Sequence, residues 1–476
     1  MSYKDVRGWI EEVEKMGQMK RIDGADWDLE IGALIEIICR ENPSRPALLF
    51  DNIKGYPQGY RVAAGLLNTI PRLAMTTGLR PEISRVDFVR EWRNRIRNLK
   101  YLPPTLVNKG PVMENIMEGD QVDLLKFPAP KYHELDGGRY IGTASVTITK
   151  DPESDWVNLG TYRVMVHDKN TLGFYMSPGK HSRIHREKWF AQGKPCPVAM
   201  SFGHDPLLFV IASLQMPPGV CEYDIVGGVK GEPVEIIKGA VTGLPLPANA
   251  EIVIEGESVP DETKVEGPFG EFTGYYGSAE RPEPFIKVKR VLYRNNPIIT
   301  GAPPFRPPCD SSFFHSACTS SVLWENMEKA GIPDINGVWQ HEAASNWAFT
   351  AVSITQRYPG HAKQALVLAS QAQGGAYMGR YVVVVDEDID PSNLEEVLWA
   401  ISTRSDPARS IDILHRCWSG ALDSAIPVAD KGFNSRALID ACRPYEWKDK
   451  FAPVVGTSPA LREKVFKRFG ADTILK

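Results

Sequence analysis

Apolar positions recur at helical spacing from the start of the chain: Val6, Trp9, Ile10, Val13 and Met16 share one face, and Gly17 ends the run. A second helix is predicted over residues 29–39, and the apolar runs at 47–50 and 61–64 read as strands, so the first ~110 residues predict a small α/β region. Between 102 and 138, Pro103, Pro104, Pro111, Pro128 and Pro130 interrupt the periodicity and predict a long connection. From about 140 to 300 the texture is strand-like with little helix. Runs at 144–149, 162–166, 172–176, 252–254 and 286–293, with a turn at Asp168-Lys169-Asn170, suggest a barrel or sandwich.

A second proline cluster, Pro303, Pro304, Pro307 and Pro308, precedes a helix over 361–373, a strand over 381–385 and a helix over 391–401, which is α/β order again. Near the C-terminus Ser458 is a predicted cap, Pro459 the first helical residue, Leu461, Val465 and Phe466 an apolar stripe, and Gly470 a stop. The expected fold is therefore an α+β multidomain chain: an N-terminal α/β region (1–112), a strand-rich domain (113–300), a C-terminal α/β domain (301–457), and a terminal helix (458–476) whose stripe suits contact with a partner subunit.

Composition narrows the function classes. A length of 476 residues implies several cores, and about one residue in six is Gly or Pro, below the share that marks low-complexity chains. The net charge of −4 provides no global field for a polyanion, so no nucleic acid partner is expected. No apolar run reaches the ~18 residues of a membrane span, and no basic-then-apolar leader opens the chain. The 7 cysteines are dispersed without a C-x-x-C pair, which predicts a reducing, cytoplasmic setting.

Several motifs fail on inspection. The stretch from Gly173 to His181 lacks the spacing and the Ser or Thr of a phosphate loop, and Asp386, Asp388 and Asp390 start a calcium-loop pattern that Pro391 and Val397 break. Those aspartates are expected to end a buried strand. No G-x-G-x-x-G, H-E-x-x-H or G-x-S-x-G occurs.

Chemically capable residues instead concentrate in the strand-rich domain: Asn158, Arg163, Lys180, His181, Glu235, Glu266 and Glu271. Glu266-Gly-Pro-Phe-Gly-Glu271 spaces two acids five apart. A bend at its glycines and proline could bring both to one cleft, where repulsion and burial raise one pKa as a general acid requires; a charged hairpin turn is the other reading. Asn158, His181 and Glu235 offer an oxygen-leaning donor set suited to manganese or magnesium, and a hydrogen-bonded structural histidine is the alternative.

The segments Asn158-Leu-Gly-Thr-Tyr-Arg163, Pro178-Gly-Lys-His181, Gly231-Glu-Pro-Val-Glu235-Ile-Ile-Lys238 and Glu266-Gly-Pro-Phe-Gly-Glu271-Phe-Thr-Gly-Tyr-Tyr276 resemble, in order, the signatures of the UbiD family of reversible decarboxylases. The resemblance continues through Arg306-Pro-Pro and the run at 382–391, so it spans nearly the whole chain. It implies a split β-barrel flavin-binding domain flanked by α/β regions, a prenylated FMN made by a separate flavin prenyltransferase, and Mn2+ and K+ at the cofactor phosphate. It also implies non-oxidative decarboxylation of an aromatic, heteroaromatic or α,β-unsaturated acid with release of CO2, in a homodimer or higher homo-oligomer. By position, Asn158, His181 and Glu235 match the manganese ligands, and Arg163, Glu266 and Glu271 match the catalytic network. Thr161, Tyr162, Arg163, Lys180 and Ser213 match cofactor contacts, with Lys180 the looser match. Arg306, His315 and His341 are candidates for polar contact with ring substituents. A split-barrel flavin oxidoreductase and a non-catalytic subunit of a larger carboxylase are the two rival readings.

Overall fold

The computed structural model describes residues 3–277, 279–471 and 473; of the predicted terminal segment, residues 472 and 474–476 lie outside these. The N-terminal periodicity forms α1 (Val6–Lys15), whose stripe Val6, Trp9, Ile10 and Val13 is buried and whose Asp5 side chain caps the Gly8 amide. It is followed by α2 (Glu30–Glu41), α3 (Ile70–Thr77) and α4 (Arg85–Arg97), arranged about a four-stranded sheet. Three of its strands, Met19–Asp23, Ala47–Asp51 and Arg61–Ala64, are local, and the fourth, Ile298–Gly301, arrives from the far end of the strand-rich region.

The central sheet has ten strands in antiparallel pairing. Along its main path the order is Arg139–Gly142, Val164–Val166, Thr171–Gly173, Arg281–Tyr293, Ile252–Ser258, Cys196–Phe202, Val146–Lys150 and Val157–Gly160. Asn115–Glu118 and Thr263–Glu266 also pair with the 13-residue strand Arg281–Tyr293. The last strand on the path, Val157–Gly160, connects to the second, Val164–Val166, through only Thr161, Tyr162 and Arg163. A link that short holds the joined ends within about 14 Å, so the sheet must curl until its edges approach, as a half-barrel.

This region is less purely β than its sequence texture predicts. It carries α5 (His181–Ala191), α6 (Pro206–Ser213) and α7 (Glu222–Lys230). The α6 residues up to Ala212 are apolar without interruption and buried, so no 3.6-residue period marks them. A three-stranded sheet of Thr105–Leu106, Glu235–Lys238 and Pro245–Pro247 lies beside it.

The C-terminal region opens with the 20-residue α8 (Asp310–Lys329), which packs on α4 and on Ile335–Gln340. Its five-stranded mixed sheet runs Ile335–Gln340, Phe349–Ile354, Tyr381–Asp386, Phe433–Ala441, Ile411–Trp418. Val382 and Val384 enter the core shared with α8 and α9 (His361–Gln371), while Val383 and Val385 enter a separate core with α10 (Leu394–Arg404). Burial on both faces explains the unbroken valine run. Asp386 ends this strand buried, held by Arg404 at 3.2 Å and Arg443 at 3.0 Å, so Asp386 and Asp388 serve an ion-pair network, while Asp390 accepts from the Ser392 amide and hydroxyl. The short α11 (Pro407–Ser410) follows, and α12 (Pro459–Phe469) closes the described chain with Ser458 as its cap and no buried residue. Among the described residues no helix is long and apolar enough to cross a membrane.

Candidate active site

The three-residue link across the curled sheet organises the site. Arg163 is its last residue, and its side chain is only 8% exposed. Nε and Nη2 donate to Glu266 Oε1 and Oε2 at 2.9 and 2.7 Å, and Nη1 donates to Glu271 Oε1 at 2.9 Å. The guanidinium also stacks over the Tyr175 ring at 4.5 Å. Three of its five N–H groups are committed and two remain.

Glu266 ends the strand Thr263–Glu266, and the chain then turns at Gly267, whose φ is +86°. Phe269 is buried against Tyr140 at 4.0 Å between ring centroids, which anchors the middle of the turn. The Glu271 amide donates to the Tyr275 carbonyl at 2.9 Å, closing a second turn. Both readings of Glu266 to Glu271 therefore hold: it is a turn, and the turn delivers both acids to one arginine. Gly137 permits the close approach, since its amide donates to Pro268 O at 2.8 Å and a Cβ there would stand 2.0 Å from Gly267 O.

The two acids differ in surroundings. Glu266 takes two bonds from Arg163 and a third from the Tyr140 hydroxyl at 3.3 Å. Glu271 takes one, and burial, with the Glu266 charge adding and Arg163 opposing, raises its carboxyl to about 7. At neutral pH it carries a transferable proton for part of the time.

At the other end of the link, His181 Nδ1 lies 3.2 Å from Asn158 Oδ1. Asn158 Nδ2 donates to Ser182 Oγ at 2.9 Å, and Trp156 packs edge-on to His181 at 4.8 Å. His181 is the first residue of α5, so unpaired helix amides and the positive end of the helix dipole lie beside it. Tyr162 reaches back over Gly160, where a Cβ would stand 2.5 Å from the Tyr162 hydroxyl. Thr161 is half-buried in the link. Lys180 has no carboxylate within ion-pair distance among the described residues; it is exposed, while the protein around it lowers its pKa through desolvation. Ser213 ends α6 with its hydroxyl donated to Phe209 O at 2.6 Å.

Glu235 does not join Asn158 and His181. It stands on the separate three-stranded sheet, where its carboxylate pairs with Lys4 at 2.9 Å and accepts from Asn249 at 3.0 Å. The resemblance matched Glu235 to a manganese ligand; the sheet takes it to the chain start instead. The carboxylate the structure brings there is Glu222, 2% exposed at the start of α7, whose Oε2 accepts from the Leu159 amide, next to Asn158, at 2.8 Å. Burial raises it to about 7, and no cation lies within ion-pair distance among the described residues. A signal for it existed: Glu222 occupies the i position of a buried stripe continued by Ile225, Val226 and Val229, where an acid is out of place unless it has a partner. Asn158 and His181 are in contact, and Glu222 reaches the backbone beside Asn158, so an amide oxygen, an imidazole and a buried carboxyl without a cationic partner among the described residues are the donors this end of the link offers.

Aromatic side chains of the C-terminal region wall the cleft opposite. Phe272, next to Glu271, meets Trp347 at 5.1 Å, and Trp347 lies 6.0 Å from both His315 and Tyr377. Of the other polar candidates, Arg306 is exposed, and His341 is buried with its Nε2 3.0 Å from Pro391 O, away from this wall.

Comparison with known proteins agrees with this layout. Residues 10–92, 105–307 and 312–441 match, respectively, the N-terminal, Rift-related and C-terminal domains of 3-octaprenyl-4-hydroxybenzoate carboxy-lyase. The chain is 35% identical over 418 residues to a pyrrole-2-carboxylic acid decarboxylase of Pseudomonas aeruginosa, covering 85% of this chain and 83% of that one. It superposes on the vanillic acid decarboxylase of Sedimentibacter hydroxybenzoicus in open form with a TM-score of 0.88 and 29% identity over 98% of this chain and 99% of that one. An evolved dimeric form of the UbiD-class enzyme HmfF from Pelotomaculum thermopropionicum, in complex with prFMN, superposes with a TM-score of 0.82 and 27% identity, covering 97% and 98%.

Proposed function

We propose, from the premise that this chain belongs to the UbiD family of carboxy-lyases, that it removes the carboxylate of an aromatic or heteroaromatic acid as CO2 in a prenylated-FMN-dependent, reversible and non-oxidative reaction. The observation that carries this reading is the unequal pair of acids on Arg163, one fully bonded and one singly bonded with its carboxyl raised to about 7. Such a pair both anchors a cation and keeps a proton available.

Prenylated FMN, when bound, supplies the electron sink for the carbon that loses CO2. The chain does the rest. The two uncommitted N–H groups of Arg163 hold the substrate carboxylate, and Glu266 fixes the guanidinium plane. Glu271 delivers its proton to the carbon that CO2 has left, and the Phe272–Trp347 wall excludes water. Asn158, His181 and Glu222 would hold a manganese ion, while Lys180 and the α5 N-terminus would meet the cofactor phosphate, with Thr161, Tyr162 and Ser213 beside it. The described residues single out no donor set for a potassium ion, and no step is assigned to one.

The split-barrel flavin domain in this proposal is residues 113–300, between the 1–112 and 301–457 regions. A reducing cytoplasm suits the cysteines, which are all free. The cofactor would come from a flavin prenyltransferase. A homo-oligomer is part of the reading because α12 buries none of its own residues within one chain. The test is co-expression with such a prenyltransferase and assay of the purified chain on a panel of aromatic acids with CO2 detection. Release of CO2 that requires the prenylated flavin supports the reading; a loaded chain inactive on every acid overturns it.

A further inference from the structure

Glu266 and Glu271 reach Arg163 from one turn, but the two halves of that turn are anchored differently. Glu266 is held twice by the arginine and once by Tyr140. Glu271 has a single bond to the arginine, so its place depends on the backbone arm from Gly270 to Tyr276. Gly270 and Tyr276 pair there as an antiparallel bridge, and the Glu271 amide closes on Tyr275 O at 2.9 Å within it.

The arm is tied down by Asp136, a carboxylate only 4% exposed. Its Oδ1 accepts from the Tyr276 hydroxyl at 3.2 Å, and its Oδ2 accepts from the His133 amide at 3.0 Å. Burial raises the Asp136 pKa, while the His133 ring, the His133 amide, the Tyr276 hydroxyl and the Gly270 amide oppose that rise. Burial and the Asp136 charge together push the Tyr276 hydroxyl up, so it keeps its proton and donates.

His133 extends the tie to the proline-rich stretch before the C-terminal region. Its Nε2 lies 2.9 Å from Pro304 O, an atom that can only accept, so the ring donates to it. The same stretch backs directly onto the arm: a Cβ at Gly270 would stand 3.3 Å from Pro304 O, and one at Gly274 2.8 Å from Arg306 Cα. The arm is thus clamped between the segment at 133–136 and the segment at 304–306.

We propose that Asp136 is a positioning residue for the proton donor: by holding Tyr276 it fixes the arm that aims Glu271, and through His133 it ties that arm to the proline-rich stretch. This rests on the decarboxylase reading above, with Glu271 as donor. Because Asp136 bonds to the arm and to His133, its loss should weaken proton delivery and spare the binding of acid and flavin.

The test uses the holoenzyme and the acid of the aromatic panel with the highest kcat/KM. Asp136→Ala should lower kcat by about tenfold to hundredfold, since a displacement near 1 Å is enough for such a loss, with KM and flavin content unchanged. Asp136→Asn, which keeps one acceptor oxygen, should recover part of that loss. Tyr276→Phe deletes a single hydroxyl near the surface, so it reports even where Asp136→Ala fails to fold; it should lower kcat by about threefold or more, again without a change in KM. Adding Tyr276→Phe to Glu271→Gln should cost less than about twofold further in accumulated product, because the residue being aimed is already disabled. A parental kcat in Tyr276→Phe, a loss that falls on KM or flavin instead, or an undiminished loss in the Glu271→Gln background would each overturn the assignment while leaving decarboxylation standing. Absence of CO2 release from every acid would instead bring down the decarboxylase reading, and this inference with it.

Discussion

Glu271 meets Arg163 through a single hydrogen bond, Nη1 to Oε1 at 2.9 Å, whereas Glu266 engages the same guanidinium twice. The second Glu271 oxygen is thus free of the arginine. In the proposed reaction one acid would serve as a fixed counter-ion and the other as a movable proton source, and most of the expected behaviour of the site follows from that asymmetry.

Turnover should fall as pH rises through about 7, because a donor raised to that value loses its proton there. Glu271→Gln should keep its flavin, lose about 10²–10⁴-fold in kcat and lose this alkaline limb. Rate profiles and solvent-deuterium exchange into the decarboxylated product check both. A Gln variant that exchanges and turns over like the parent excludes Glu271 as donor.

At the metal pocket, Glu222→Gln and His181→Ala should each lower bound manganese and flavin in the purified protein, with far-UV circular dichroism unchanged. Glu235→Gln should leave both contents as they are, since that carboxylate is bound by Lys4 and Asn249. Elemental analysis and flavin absorbance of the three variants decide it. Metal loss on Glu235→Gln alone would return the role to Glu235.

Gly160→Ala should mimic a cofactor-binding defect without replacing any of the proposed ligands, because its Cβ would displace the Tyr162 hydroxyl from 2.5 Å away. Flavin content should drop several-fold while the Arg163 pair still forms. Normal loading would mean that Tyr162 can shift without consequence.

Arg404 is a stability determinant apart from the site. It is 1% exposed and pairs with Asp386 at 3.2 Å and Asp388 at 2.7 Å. Arg404→Ala leaves the buried Asp386 carboxylate with Arg443 as its remaining cationic partner, beside the Gln356 amide, and should cost about 3 kcal/mol in denaturant unfolding of the C-terminal region. A loss below about 1 kcal/mol would show that Arg443 suffices.

Closure of the C-terminal region on the barrel should involve the proline-rich stretch 301–308, where the His133 ring nitrogen Nε2 contacts Pro304 O at 2.9 Å. Distance measurements between spin labels on α5 and α9 should change when the loaded enzyme binds a non-reacting acid. Identical distances in all ligand states would remove closure from the mechanism.

Much of this architecture was legible in the residue pattern because it follows from burial. The valine run of Tyr381–Asp386, the α1 stripe and the Asp168-Lys169-Asn170 hairpin each register a face that must be hidden or a turn that must be made. The α6 helix was not, since a segment buried on all sides shows no period. The acids of the Glu266–Glu271 turn were legible from the glycines and proline between them. Of the proposed metal ligands only Asn158 and His181 were read from the sequence, and they meet; Glu235 was named in place of Glu222, because strand pairing between distant segments, which takes Glu235 to another sheet, leaves no local trace.

The curled sheet puts one further condition on the protein. Asn158 lies on the strand that leads into the short link and Arg163 is the link's last residue, so the proposed metal ligand and the proposed proton-handling arginine share a single stretch of backbone. Displacing one end must tug on the other. On the proposed reading, a shift at the cofactor end would reach the Arg163 acid pair through that backbone, so loading and proton handling would be set by one stretch of chain.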